Sequence, residues 1–165
     1  MSSSSSSIYI ESLLSRTIGL KITDVGKNLS DNLQTKIHYD VEGKCIGEGF
    51  IKPKSVHIVS YSGGLVKGDR VEFQVIYKCL VCNPVKDMEV ECVVNNVTKA
   101  GIHAHVIDEA DNYPITIFVA KDHHQSNTPF ESIVNKDIIR VKIIGSRFEL
   151  NDTSITSIAS FIDKI

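Results

Sequence analysis

The chain contains no tryptophan, and aromatic residues make up only 7% of its 165 positions, which leaves little surface for stacking rings or bases. It has no run of 18 apolar residues, so no membrane-spanning helix is read from it. The opening MSSSSSS lacks the basic and apolar regions of a secretory signal, and an intracellular protein without a membrane partner is expected. Residues 1–7 cannot bury apolar surface to offset their ordering entropy and are expected to form a floppy serine tail. Neither sign of charge dominates: the formal net charge of -2 removes any global nucleic-acid signal. With four cysteines and no secretory route, disulfides are not expected.

What is present is an ordinary globular composition, 42% hydrophobic and 23% charged, enough for one average domain or two small ones packed together. The charge is unevenly spread. Residues 1–84 carry ten Lys+Arg against eight Asp+Glu, and residues 85–165 carry eight against twelve. After an extended segment over residues 8–22, Leu29, Leu33, Ile37 and Val41 recur every fourth position, which predicts one helix of about three turns stopped by Gly43. KCIGEGFI, SVHIVSYSGGLV and DRVEFQVIYKCLVCNP then read as β stretches. In the last, Val71, Phe73, Val75, Tyr77 and Cys79 alternate with Glu72, Gln74, Ile76 and Lys78, as in a long strand with one buried face. Pro84 and the charged VKDME place a domain boundary near residues 84–87. Beyond it, strands are read near 88–97, 101–107, 114–120, 138–149 and 153–162, with a turn at Lys99–Gly101, which is the strand content of a Greek-key OB barrel. The fold class is therefore α+β, mostly β: a helix-plus-sheet domain over 8–84 followed by a five-stranded OB barrel over 85–165.

Candidate chemistry is sparse. Cys79 and Cys82 have the spacing of a zinc or redox motif, but residues three apart on a strand point to opposite faces, and neither Cys45 nor Cys92 supplies a second pair. His103 and His105 share a strand face and suit a metal or a base, while Ile102, Ala104 and Val106 turn to the core; His123 and His124, beside Asp122, belong to the long connection that follows. No nucleophile has a glycine-rich elbow and no carboxylate pair stands out, so catalysis and a metal centre are not expected. SGGLVKGD has the glycines and lysine of a phosphate loop in the wrong order and reads as a hairpin turn. Arg140 and Lys142 alternate with Ile139, Val141 and Ile143, giving either a short phosphate-binding stripe or a merely soluble strand face.

The stretches LQTKIHYDVEGKCIGEGFI, VEFQVIYKCLVCNPVKDMEVECVVNNVTKAGIHAHV, IRVKIIG and SITSIASFI, in this order, resemble the larger stalk subunit of DNA-directed RNA polymerases. This is the seventh subunit of eukaryotic RNA polymerase II, with a counterpart in the archaeal enzyme. KAGIHAHV, FVAKDHH and RFELND resemble the versions in large DNA viruses of eukaryotes. The resemblance implies a first domain, the tip, that docks on the core polymerase subunits beside the clamp and a smaller stalk subunit. It implies an OB barrel that contacts nascent single-stranded RNA near the exit path, and a catalytic metal site left to the two largest subunits, so that this chain needs no cofactor and is no enzyme itself. His103, His105 and Phe118, with Arg140 and Lys142, are then the expected RNA contacts, weak, salt-sensitive and largely indifferent to base sequence. The expected place is the viral factory or virion for a viral polymerase and the nucleus for a cellular one. The alternative is a free-standing OB-fold RNA-binding protein of translation or RNA decay; the helix-bearing first domain favours the stalk.

Overall fold

The computed structural model describes residues 8–108, 111–121 and 132–165; the serine stretch 1–7, and Asp122, His123 and His124, lie outside the described residues. The first half is organised by one long strand. β6 (Arg70–Cys82) pairs antiparallel with β1 (Ile10–Lys21) along its full length, from Lys21 opposite Arg70 to Ile10 opposite Val81. Its other edge is shared by three short strands: β5 (Leu65–Lys67), β4 (His57–Tyr61) and β3 (Gly49–Ile51), with β2 (Cys45–Ile46) beyond β3. Val71, Phe73, Val75, Tyr77 and Cys79 of β6 are all buried on one face, as the alternation predicts.

Helix α1 (Leu29–Val41) covers that face. Leu33, Ile37 and Val41 are completely buried, because residues four apart lie above one another on a helix. A short 3-10 turn, Ile22–Asp24, precedes it, and Gly43 follows with φ +69°, the left-handed conformation that glycine adopts without strain. The helix also holds the segment leading into β4. Gln34 donates from Nε2 to the Val56 carbonyl at 2.9 Å and accepts from the Ile58 amide at 3.2 Å, while Glu42 accepts from the Val56 amide at 3.4 Å. His38 lies between Gln34 and Glu42 and contacts both.

Two stretches that read as continuous β are broken. KCIGEGFI is a hairpin, with Cys45 opposite Phe50 and Ile46 opposite Gly49, because Gly47-Glu48 makes a two-residue reversal. SVHIVSYSGGLV divides at Ser62–Gly64 into β4 and β5.

The second half is a closed barrel of β7 (Glu89–Val97), β8 (Gly101–Val106), β9 (Ile115–Ala120), β10 (Ile138–Arg147) and β11 (Ile155–Lys164), in the order β10-β11-β9-β8-β7. The β11–β9 contact is parallel and the others antiparallel; this is the closure of an OB barrel. Gly101 opens β8 where a Cβ would stand 2.2 Å from the Val119 carbonyl oxygen and 3.1 Å from the Phe118 ring, so the two strands approach only because no side chain is there.

Sheet and barrel meet over a shared apolar core. Tyr9, Cys45, Phe50 and Cys82 pack with barrel residues rather than with the helix-covered core. Around that contact the Cys45 amide donates to the Asp152 carbonyl and the Asn151 amide donates to the Cys45 carbonyl, both at 2.8 Å. The Tyr9 hydroxyl donates to Asp108 Oδ2 at 2.6 Å. Burial, reinforced by Asp108, pushes the Tyr9 phenol far above its ordinary range, so it stays protonated as the donor.

Three outcomes are expected of this architecture. Leu33→Ala removes a completely buried side chain from under α1 and should cost about 2 to 5 kcal/mol, read as a lower urea midpoint. Gly101→Ala should cost about 1 to 3 kcal/mol by forcing β8 from β9. Burial raises Cys45 and Cys79 to about 11 and Cys82 and Cys92 to about 12. The unfolded thiols ionise first, so this stabilisation is intact below their ordinary pKa, about 8.5, and is lost as pH rises toward 12. The melting temperature should therefore fall progressively on the alkaline side, and iodoacetamide should label the native thiols at pH 8 far more slowly than the urea-unfolded ones.

Candidate nucleic-acid interface

With Ile102, Ala104 and Val106 buried in the barrel, the alternation of β8 turns His103 and His105 to its outer surface. Phe118 of β9 is opposite His103 in the ladder, and the two rings lie 5.0 Å apart between centroids, tilted by 49°. The Phe118 ring also leans over Gly101, filling the space that a side chain there would occupy. His105 is opposite Thr116 and meets the ring of Tyr113 edge-on at 4.8 Å. Tyr113 is 53% exposed and was not singled out in the sequence, where it precedes Pro114 outside the strand. Its one signal is that it is an aromatic immediately before a strand in an aromatic-poor chain. The result is a strip of two ring pairs across β8 and β9, offering π faces and ring nitrogens; stacking on such rings is worth about 1 to 3 kcal/mol per base.

Arg140 and Lys142 do not join this strip. β7 separates β10 from β8, and its outward residues opposite Arg140 and Lys142 are Glu91 and Glu89. Arg140 lies 3.8 Å from Glu91 and 3.6 Å from Asp163, and Lys142 lies 3.9 Å from Asp87. The alternation along β10 is as read, but the cations are compensated by carboxylates from neighbouring elements. Such exposed pairs are individually weak, about 0 to 1 kcal/mol, yet they lower the positive potential available to a phosphate.

Cys79 and Cys82 enter different cores, Cys79 under α1 and Cys82 against the barrel, which separates their sulfurs as the strand argument requires. Among the described residues no three His, Cys, Asp or Glu side chains converge as a metal cage. SGGLVKGD forms the β5–β6 hairpin, in which Lys67 pairs with Glu72 at 3.3 Å.

No protein-family model matches the chain. Individual relatives do. The DNA-directed RNA polymerase II subunit RPB7 of Glycine max is 31% identical over 88% of this chain and 88% of its own, and subunit 7 of Arabidopsis thaliana is 30% identical over 86% of each. L376 of Acanthamoeba polyphaga mimivirus, whose name assigns it to a DNA-directed RNA polymerase, is 25% identical over 95% of this chain and 83% of its own. Identity at this level, sustained through both the helix-covered sheet and the closed barrel, establishes that the chain belongs to the RPB7 family of DNA-directed RNA polymerase subunits.

Proposed function

We propose that the chain is the noncatalytic stalk subunit of a DNA-directed RNA polymerase, attached to the core enzyme by residues 8–84 and touching nascent RNA with the barrel formed by residues 85–165. The observation that carries the docking half is the uncovered outer face of the six-stranded sheet. Leu13 there is 62% exposed and lies diagonal to Ile76, which is opposite Ser15; Leu65, 60% exposed, lies farther along the same face opposite Glu72, and no described element covers them. Exposed apolar side chains on one sheet face point to an interaction surface. The outer edge of β1 is also unpaired among the described residues, a template on which a smaller stalk subunit would add a strand.

The RNA half is supported by the His103–Phe118 and His105–Tyr113 strip, which lies on the second and third strands of the barrel, the face that OB folds use for oligonucleotides. Arg140 and Lys142 are secondary contacts in this reading, since each must first leave its carboxylate partners.

Affinity purification of the tagged protein should recover the two largest polymerase subunits. Leu13→Glu with Ile76→Glu changes only exposed positions and should shift stability by no more than about 0.5 kcal/mol each, while sharply reducing that recovery. Undiminished recovery would rule the sheet face out. Recovery of ribosomal or RNA-decay proteins in place of polymerase would favour the free-standing RNA-binding protein. In the assembled enzyme, His103→Ala with Phe118→Ala should lower crosslinking to nascent RNA of any sequence. Arg140→Ala with Lys142→Ala should change the salt slope by less than about 1 unit, below the value for two free cations.

A further inference from the structure

At the joint of sheet and barrel is an open groove of about 330 Å³, walled on one side by Gly43, Phe50 and Pro53 and on the other by Tyr113, Thr116 and Ser154. Two of its residues also belong to the ring strip. Tyr113 meets the His105 ring, and Thr116 is opposite His105 in the ladder while its hydroxyl bonds that of Ser154 at 3.3 Å. The outer face of β8 and β9 therefore runs into the groove without a break.

The charges on the two walls differ. Lys52 and Lys54 flank Pro53 in the chain, and Lys44 follows Gly43. Among the described residues none of these three lies within ion-pair distance of a carboxylate; the Lys44 ammonium donates to the Tyr39 carbonyl at 3.0 Å, and the Lys52 ammonium lies 5.3 Å from the centre of the Tyr9 ring. The barrel wall instead carries Asp111, which drives an anion toward the lysines. Past Lys44, the Tyr39 ring is 74% exposed, with the Lys44 ammonium 4.9 Å and the Lys36 ammonium 5.7 Å from its centroid. Ring faces beside ammonium groups are the pattern that holds a single-stranded polynucleotide: bases stack, and phosphates are neutralised beside them.

We propose that the RNA strand on the β8–β9 face continues across the joint, placing a base in the groove against Tyr113 and its phosphates on Lys44, Lys52 and Lys54, with Tyr39 as the terminal stacking ring. This rests on the RNA reading above and goes beyond it by assigning most of the phosphate contacts to the sheet half of the chain. The barrel half, with its acidic excess, supplies the ring faces other than Tyr39.

The test uses the full chain and fluorescently labelled oligouridines of about 4 and about 12 nucleotides, spanning the site sizes of OB folds. Lys44→Gln, Lys52→Gln and Lys54→Gln together keep the aliphatic stems and remove the charges. This variant should bind the long RNA about tenfold or more weakly, with a salt slope reduced by about 2 units, close to 0.7 for each lost contact to a single strand. The short RNA, which fits on the β8–β9 face alone, should be little affected; His103→Ala with Phe118→Ala should weaken both. Tyr39→Ala should weaken only the long RNA. If the wild type prefers the long RNA but the triple variant binds it with unchanged affinity and slope, the path across the joint is wrong and the barrel face stands. No binding of either RNA by the wild type overturns the RNA reading and this inference with it. A triple variant that binds RNA normally but loses a copurifying polypeptide makes the groove a protein site and overturns the proposal.

Discussion

The orientation of the barrel on the sheet depends on a short length of backbone around Cys45. That residue gives its amide to Asp152 and its carbonyl to Asn151, so the β10–β11 connection is bonded to the β2–β3 hairpin as one strand is to another. The pair is shielded by the apolar contact of Cys45, Phe50 and Cys82 with the barrel core, and a backbone hydrogen bond removed from water is costly to break without replacement. On the other side of the contact Tyr9 reaches Asp108, which also accepts from Asn112. Sheet and barrel are thus joined at separate points on either side of a shared apolar core.

Much of the architecture is legible in the sequence because it follows two short periods. The fourfold spacing of Leu29, Leu33, Ile37 and Val41 and the twofold alternation from Val71 to Cys79 each correspond to one buried face, and both are found as read. The five barrel strands are found for the same reason, though β10 stops at Arg147. What escapes is whatever depends on partners distant in the chain. Arg140 and Lys142 form a basic stripe in one dimension, and only the pairing of β10 with β7 and β11 brings Glu91 and Asp163 against it. Tyr113 escapes similarly, since its role comes from β8 and not from its own segment. The hairpin within KCIGEGFI shows the opposite limit: its strands are too short for periodicity to declare a reversal.

The acidic excess of the chain lies in its barrel half. Of the twelve acidic residues after residue 84, Glu91, Asp163, Asp87 and Asp137 each face a lysine or arginine of the barrel. Lys44, Lys52 and Lys54, which have no such partner among the described residues, lie across the joint, on the half with the small positive balance. On the RNA path proposed above, affinity draws on both halves together.

Strand β6 has a further consequence through the two thiols near its end. Cys79 is fixed in the core under α1 and Cys82 in the core shared with the barrel, so a single ladder sets the phase of both. Because side chains alternate with period 2, one residue inserted between Arg70 and Cys79 would turn Val71, Phe73, Val75 and Tyr77 outward or displace Cys82 from the barrel, and no local adjustment serves both ends. Conservative replacements along β6 are absorbed by repacking, but changes in its length are not. The strand behaves as a ruler: descendants of this gene can vary the residues on it freely within their size class, while the count from the β5 turn to the barrel is held by the geometry of two cores at once.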